Sequence, residues 1–249
     1  MWRRLLIITT PRTRAEEALK RILASGERQW TPTKGEHFQN LIRTILSQNT
    51  SWRNEQIAYQ RLEEMVGVSP RALVEADVDL IAEAIRPAGM YRLRSRTLKD
   101  ISSEVQTRYD GDLSKVVSLP YSEAREELMS LTGVGEKTAD VVLLFSAGKT
   151  VLPVDRHIAR ISKRLELVPQ KAGYDDIRLA LENATDPKNY LSAHILLIQF
   201  GRETCRAQSP RCQRCILNDI CPYPKKNFSN TSHSSIVLRM KTGGRKQPW

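Results

Sequence analysis

Apolar side chains recur along most of the chain at the spacing of an amphipathic α-helix. The stretch 35–48, GEHFQNLIRTILSQ, carries a stripe at i, i+3, i+4, i+7 and i+8, formed by Phe38, Leu41, Ile42, Ile45 and Leu46. The stretch 92–109 places three further apolar residues on one face, Leu98, Ile101 and Val105. No segment alternates between apolar and polar residues with period two, and none repeats at a fixed period. The pattern therefore predicts an all-α fold.

Residues that favour helix N-termini mark where several of these helices begin. Thr13 with Glu16 forms a capping-box pattern ahead of AEEALKRILA. Ser51 is placed to cap the helix that follows it, and Ser69 precedes Pro70 at a predicted first helical position. These signals predict helices that start just after Thr13, Ser51 and Ser69.

The stretch 131–142, LTGVGEKTADVV, joins two predicted helices through a short turn. The first helix ends near Leu131 and the second begins near Glu136, with Gly133 and Gly135 between them. Glycine permits backbone angles that other residues disfavour, so a tight steric turn is one explanation. The other is an anion site, because free amide N–H groups at a helix N-terminus bind phosphate. The second helix contains ADVVLLF, which is apolar on almost every side, so we expect it to be buried.

Lys137 stands at the start of this second helix, where a positive charge is unfavourable. The helix dipole and the buried surroundings both favour the neutral amine, which is a nucleophile able to form a Schiff base. Asp155, eighteen residues further along in LPVDRHIARI, begins another predicted helix. It is a suitable N-cap, and its second carboxylate oxygen could serve a catalytic lysine. An ordinary surface lysine and a simple helix cap are the alternatives.

The charge balance adds a polyanionic partner to this picture. The 249 residues include 39 Lys and Arg against 28 Asp and Glu, which gives a net charge of +11. Nucleic acid is the first candidate for such a partner, although a basic composition alone also fits other proteins. The apolar run at residues 5–8 is too short for a signal-peptide core, and no run reaches the roughly 20 residues of a membrane span. We therefore expect a cytoplasmic, nucleoid-associated protein with no membrane association.

All four cysteines lie within one short segment near the C-terminus. Cys205, Cys212, Cys215 and Cys221 have the spacing C-x6-C-x2-C-x5-C. Such a group in a cytosolic chain indicates metal binding rather than disulfides. A zinc site and a [4Fe–4S] cluster both fit four thiolates at this spacing. After this segment, residues 225–249 are rich in Ser, Asn, Lys and Gly, which predicts a disordered basic tail.

Taken in order, these motifs resemble the endonuclease III branch of the helix-hairpin-helix DNA glycosylases. The resemblance rests on LTGVGEKTADVVLLF, on VDRH, whose aspartate lies eighteen residues after the lysine, and on the four-cysteine spacing. It runs from about residue 30 to residue 224 and implies an all-α fold of two lobes with a DNA cleft between them. A six-helix middle lobe would contain the hairpin at about residues 131–137. The other lobe would join the N-terminal helices to a [4Fe–4S] cluster loop at 205–221. The implied division is an N-terminal extension with the first helix at 1–30, the glycosylase at 31–224 and the tail at 225–249.

The same resemblance implies roles for individual residues. Lys137 would attack C1′ of the damaged nucleotide, release the base, form an imine with the sugar and cut the strand on the 3′ side by β-elimination. Asp155 would activate the lysine and stabilise the charge that develops on the sugar. Gln48, in LSQNT, would fill the space that the extruded base leaves. The other implied DNA contacts lie in the hairpin and beside the cysteines, at Gly133, Val134, Gly135, Thr138, Arg206, Arg211 and Arg214.

The resemblance therefore implies a monomeric base-excision-repair glycosylase and AP lyase. Its partner would be double-stranded DNA containing a damaged or mismatched base or an abasic site, and oxidised pyrimidines are the expected substrates. The alternatives are a G·T or G·U mismatch glycosylase, a glycosylase for alkylated or oxidised purines, a noncatalytic DNA-binding iron–sulfur protein and a zinc-stapled helical module. Three residues depart from the family pattern: Ser51 replaces a frequent aspartate, Phe200 a frequent histidine and Thr132 the usual proline. Ser51 is the one that bears on substrate choice.

Overall fold

The computed structural model describes residues 10–26 and 36–228, and within these ranges every regular element is helical. The absence of a β-strand there confirms the all-α prediction. The described ranges contain twelve α-helices: α1 (Pro11–Ala24), α2 (His37–Ser47), α3 (Trp52–Met65), α4 (Pro70–Glu75), α5 (Val78–Ala84), α6 (Tyr91–Tyr109), α7 (Ser114–Ser118), α8 (Tyr121–Met129), α9 (Glu136–Ala147), α10 (Arg156–Arg164), α11 (Tyr174–Glu182) and α12 (Tyr190–Glu203). Short 3-10 helices lie at Arg86–Ala88, Pro187–Asn189 and Cys212–Arg214.

The chain divides into two compact units. One unit joins the N-terminal segment, up to Trp30, to the part of the chain from Val154 onward, and the other is Thr31–Pro153. In the first unit α1 packs against α12 and α11. The buried face of α1 consists of Ala15, Ala18, Leu19 and Ile22. This helical spacing of apolar residues is what attaches the first helix to the C-terminal helices.

The second unit is built around the packing of α2 against α9. All five residues of the predicted apolar stripe on α2 are buried, and so are residues 141–145 of α9, which confirms the expectation for that helix. Each fully buried side chain of this kind contributes about 1.5–3 kcal/mol to stability. The described residues 36–153 form eight α-helices, of which α4 and α7 have only 6 and 5 residues. The six-helix middle lobe stays a prediction.

The helix starts confirm two of the predicted caps and correct the third. The hydroxyls of Ser51 and Ser69 each accept an amide N–H from three residues further on, at 3.2 Å. At α1, however, the cap is Thr10, whose Oγ1 accepts the Thr13 N–H at 3.2 Å. The helix therefore begins three residues earlier than predicted. The reason is Pro11, whose fixed φ suits a first helical position and draws Thr13 into the first turn.

Residues 1–9, 27–35 and 229–249 lie outside the described ranges. The predicted disordered tail therefore falls almost entirely outside them, as does part of the predicted N-terminal extension. None of the described helices combines the length and the apolar character needed to cross a membrane.

Candidate functional site

The hairpin between α8 and α9 is closed by one tight turn. The Val134 amide N–H donates to the Leu131 carbonyl at 3.1 Å, and Gly133, at the third position of the turn, has φ +78°. This is the pattern of a type II turn, which requires a positive φ at that position. Gly135 follows as the N-cap of α9. The predicted glycine-containing turn between two helices is therefore present.

The two hairpin glycines have different surroundings. A Cβ on Gly133 would lie 2.6 Å from Thr97 Cγ2 of α6, so both its positive φ and its close packing require glycine. Gly135 has φ −102°, and no described heavy atom lies within 4 Å of the place where a Cβ would sit. A tight steric turn therefore explains Gly133 but not Gly135. The open space beside Gly135 leaves its backbone accessible to a ligand.

The amide N–H groups of the hairpin fall into two sets. Those of Val134 and Thr132 have acceptors, because Val134 closes the turn and Thr132 donates to the Glu104 carboxylate at 3.2 Å. Within the described part of the chain, the N–H groups of Gly133 and Gly135 have no acceptor. They lie beside the positive end of the α9 dipole. The geometry is therefore suited to holding an anion at these two glycines.

Lys137 is the second residue of α9 and is partly exposed. The residue after it, Thr138, is only 4% exposed, and its Oγ1 accepts a hydrogen bond from Gln48 Nε2 at 3.4 Å. This bond brings the side chain of Gln48 to the first turn of the lysine helix. Val134 is also buried, with 7% of its surface exposed. The DNA contacts expected at Val134 and Thr138 stay predictions.

Arg94 of α6 holds the segment that carries Gln48. Its guanidinium is buried and donates to the Leu46 carbonyl at 2.7 Å, the Ala88 carbonyl at 3.1 Å, Thr50 Oγ1 at 3.0 Å and the Gln48 carbonyl. Burial lowers the pKa of Arg94, but arginine keeps its charge at neutral pH. The charge lies against carbonyls at the C-terminal, negative end of α2. Arg94 therefore fixes the backbone from which Gln48 projects.

Sequence reasoning missed Arg94, although a signal for it was present. The residue precedes Leu98 by four positions and Ile101 by seven, so it belongs to the apolar face of α6. A charged side chain is rare on such a face unless it is fully hydrogen-bonded. An arginine in an apolar stripe thus indicates a buried group with backbone partners.

Asp155 caps α10. Its Oδ1 accepts the amide N–H groups of His157 and Ile158, both at 2.8 Å. The predicted capping role is therefore confirmed, and one carboxylate oxygen performs it alone. Oδ2 takes no part in the cap, which leaves it available for chemistry. The proposed cooperation of Asp155 with Lys137 stays a prediction.

None of the four cysteines forms a disulfide, and all four lie at partly exposed positions. Burial raises the pKa of Cys215 to about 11, with the charges of the other three cysteines as further causes, and burial also raises the pKa of Cys221. Thiols grouped in this way become thiolates only beside a positive centre such as iron. Two N–H donors reach the sulfurs at 3.4 Å, from Arg164 to Cys205 Sγ and from Leu217 to Cys215 Sγ. This donor set fits an iron–sulfur cluster.

Among the described residues, no three His, Cys, Asp or Glu side chains are arranged to hold a single metal ion. A four-iron cluster spaces its thiolates more widely than one ion does. Two arginines of α10, which sequence reasoning took only as helix residues, anchor the cysteine loop. Arg160 Nε donates to the Cys205 carbonyl at 3.0 Å, and Arg164 donates to the carbonyls of Arg206 and Ala207 at 2.6 and 2.9 Å. The sequence signal for this role was the i, i+4 spacing of Arg160 and Arg164, which places both side chains on one face of α10.

The three arginines expected to face phosphate border this loop. Arg211 and Arg214 are exposed, and Arg206 is partly exposed. In the described ranges none of the three forms an ion pair with a carboxylate. Their charges are therefore not neutralised locally, as a phosphate-binding surface requires.

Comparison with known proteins gives matches to both the sequence and the fold of this chain. Residues 42–187 match the family model described as HhH-GPD superfamily base excision DNA repair protein, and residues 205–221 match the iron-sulfur binding domain of endonuclease III. Endonuclease III of Sulfolobus acidocaldarius is 34% identical over 194 residues, which cover 78% of this chain and 85% of the relative. Endonuclease III of Thermotoga maritima is 31% identical over 189 residues, with 76% and 84% covered. The solved structure of a non-covalent endonuclease III–DNA complex superimposes with a TM-score of 0.75 at 26% identity, covering 86% of this chain and 97% of the other.

The chain therefore belongs to the HhH-GPD superfamily of base excision DNA repair proteins and, within it, to the endonuclease III family. It is accordingly a DNA glycosylase/AP lyase of base excision repair. It carries a [4Fe–4S] cluster, which decides between the two metal sites that the cysteine spacing left open, and the match at residues 205–221 contains all four cysteines.

Proposed function

We propose that this enzyme removes oxidised pyrimidines from duplex DNA and then cuts the strand, with Lys137 as the nucleophile. The observation that carries the proposal is the position of Lys137 in the first turn of α9, directly after a hairpin with two amides suited to binding a phosphate. A phosphate held at Gly133 and Gly135 would bring the sugar–phosphate backbone to the lysine. The same helix end disfavours a charged ammonium, which supports nucleophilic attack.

The chemistry can be followed bond by bond. The neutral Nζ of Lys137 attacks C1′, the C1′–N bond breaks and the base leaves with its electron pair and takes up a proton. The sugar ring opens, and C1′ becomes an imine of the lysine. Loss of a C2′ proton and departure of the 3′ phosphate oxygen then cut the strand on the 3′ side. Water hydrolyses the imine and releases Lys137.

Asp155 is proposed to assist at two points. Its Oδ1 is held by two amide N–H groups of α10, so the orientation of the carboxylate is fixed. Its Oδ2 would accept a proton from the attacking amine and stabilise the positive charge that develops on the sugar as the base leaves. The cap and the catalytic role are therefore compatible in one side chain.

Further residues would bind and shape the DNA, with one monomer acting on one lesion. Gln48 would enter the space vacated by the extruded base, from a backbone fixed by Arg94. Arg206, Arg211 and Arg214 would contact phosphates outside the lesion. Cys205, Cys212, Cys215 and Cys221 hold the [4Fe–4S] cluster, whose contribution is to order this loop.

Borohydride trapping tests the proposal directly, because it reduces an imine to a stable protein–DNA adduct. The duplexes would contain thymine glycol, an abasic site, uracil or thymine opposite guanine, or 8-oxoguanine. We expect the fastest trapping on the abasic and thymine glycol duplexes, and no adduct with Lys137→Gln. Lys149→Gln is the matched control, since Lys149 lies just beyond the other end of α9 and binds the Leu119 carbonyl.

The outcomes separate the alternatives. Fastest base release on a mismatch or on 8-oxoguanine would replace oxidised pyrimidines as the substrate class and keep the lysine chemistry. An adduct that persists in Lys137→Gln would show that another residue is the nucleophile. No adduct with any duplex would contradict the lyase mechanism as a whole.

A further inference from the structure

Glu104 of α6 binds Thr132 with both of its carboxylate oxygens. Oε2 accepts the Thr132 amide N–H at 3.2 Å, and Oε1 accepts the Thr132 hydroxyl at 2.5 Å. Thr132 is exposed, whereas Glu104 is partly buried. The two residues are 28 positions apart, so the contact connects α6 to the hairpin rather than belonging to either alone.

Thr132 occupies the second position of the turn that Leu131 opens and Val134 closes. Proline is favoured at this position of a type II turn because its ring fixes φ, and it has no N–H that needs an acceptor. Threonine leaves φ less restricted and adds an N–H and a hydroxyl. The Glu104 carboxylate accepts hydrogen bonds from both groups. It thereby supplies the restraint that proline would otherwise provide, and it satisfies the N–H that proline would lack.

A second contact shows that α6 acts as the support of this turn. Thr97 lies seven residues, or about two helical turns, before Glu104 and so shares its face of α6. Its Cγ2 would be 2.6 Å from a Cβ on Gly133. Two adjacent residues of the turn, Thr132 and Gly133, are therefore held against one face of α6.

The sign of the charge makes the role of Glu104 distinctive. A carboxylate beside a phosphate-binding hairpin repels DNA, so charge alone predicts that removing Glu104 tightens binding. A negative side chain at this place is therefore unfavourable for DNA binding unless its hydrogen bonds to the hairpin matter more. Removal of the contact and removal of the charge act in opposite directions on affinity.

We propose that Glu104 is a positioning residue that preorganises the hairpin, so that the amides of Gly133 and Gly135 are aligned for a DNA phosphate before DNA arrives. This inference rests on the proposed binding of phosphate by the hairpin. The contact restricts the Thr132 backbone in the free enzyme and so reduces the ordering that binding must impose. Glu104 touches neither the lysine nor the DNA in this scheme.

The test compares four proteins for binding to a duplex that contains a tetrahydrofuran abasic analogue, at one fixed salt concentration. They are the wild type, Glu104→Ala, Asp100→Ala and the double variant Glu104→Ala/Thr132→Pro. Asp100 is the matched control, because it is an exposed acidic residue one turn earlier on α6 with no hydrogen bond among the described residues. Unfolding midpoints and amide hydrogen exchange at residues 132–135 are measured on the same proteins.

We expect Glu104→Ala to bind about tenfold more weakly, the effect of losing a hydrogen-bonded restraint to a charged group. Asp100→Ala should bind as well as the wild type or slightly more tightly. Thr132→Pro, in the double variant, should restore affinity to within about threefold, because it fixes φ without the carboxylate. Hydrogen exchange at the hairpin amides should be faster in Glu104→Ala than in the other three proteins, and the unfolding midpoint should change little.

Three results would overturn the proposal. Glu104→Ala that binds as tightly as the wild type, or more tightly, would show that the contact with Thr132 does not support DNA binding. Weaker binding that Thr132→Pro does not restore would show that the loss comes from elsewhere than the turn. Unaltered exchange at residues 132–135 in Glu104→Ala would refute the contact as a restraint. If the wild type itself fails to bind duplex DNA, the proposed function is wrong, and the exchange measurement still tests the contact.

Discussion

Replacing Gly133 by alanine is expected to lower the free energy of unfolding by about 2–4 kcal/mol. A non-glycine residue at a φ of +78° costs about 1–2 kcal/mol. The added Cβ would lie 2.6 Å from Thr97 Cγ2, and relieving such an overlap in a packed region costs about 1–3 kcal/mol. Alanine also reduces the conformational entropy of the unfolded chain, which raises the free energy of unfolding by only about 0.4–1 kcal/mol. The net effect is therefore strongly destabilising.

Gly135→Ala is the matched comparison, only two positions away. Its φ of −102° is open to alanine, and no described atom lies within 4 Å of the added Cβ. The loss of glycine at an N-cap and the gain from a stiffer unfolded chain are both about 0.5–1 kcal/mol and oppose each other. We therefore expect little change in stability. DNA affinity should nevertheless fall about tenfold or more, because the methyl group occupies the space through which a phosphate would approach the amide.

Urea unfolding and DNA binding at fixed salt measure the two effects separately. A double-mutant cycle with Thr97→Ala separates the two causes of the destabilisation. The double variant should recover the stability lost through overlap with Thr97 and keep the loss that is due to the positive φ. Equal destabilisation by the two alanines would refute the packing argument. Unchanged DNA affinity in Gly135→Ala would mean that the open space beside that residue does not serve DNA.

Three further predictions concern other parts of the chain. Arg94→Met should lower the free energy of unfolding in urea by about 2–4 kcal/mol, because carbonyls at the end of α2 lose their buried donor. Arg94→Lys should recover part of this loss. Equal losses in the two variants would show that the geometry of the guanidinium is not what holds these carbonyls. Cys212→Ser should abolish the visible absorbance of the cluster and weaken DNA binding, whereas unchanged melting and affinity would contradict a structural cluster. Burial lowers the pKa of His37, so the unfolded chain takes up the proton first on acidification. Stability should be full above about pH 6.5 and fall below it, and the slope should flatten in His37→Gln if that residue is responsible.

The sequence was sufficient for features that depend on local periodicity. The buried stripe of α2 and the buried run of α9 follow from spacing alone, and the glycines located the hairpin between its two helices. The features that it did not reveal involve partners far apart in the chain. Glu104 and Thr132 are 28 positions apart, and Arg94 reaches the Leu46 carbonyl across 48. Glu104 has no local pattern, and the apolar stripe of α6 marks Arg94 as buried without revealing its partners, since both contacts exist only once α6 has packed against other segments.

The sequence also could not predict that the two hairpin glycines have different surroundings. Both fit the same GxG pattern, and only the position of Thr97 against Gly133 separates a glycine that packing requires from one that packing leaves free. Similarly, Thr10 displaced Thr13 as the cap of α1 because two adjacent capping signals compete, and Pro11 favours the earlier start. Choosing between overlapping local signals requires the helix to be seen.

The single helix α6 has a consequence for how this protein can vary in length. Arg94 meets the Gln48 segment near its start, and Glu104 meets the hairpin near its end, ten residues on. Each residue of an α-helix turns the chain by about 100°, so inserting or deleting one residue between these positions would rotate one contact away from its partner. A point substitution can remove either contact by itself, whereas a change in length would prevent the two contacts from forming at the same time. We therefore expect insertions and deletions to be tolerated in the loops that flank α6 and to be excluded from its interior.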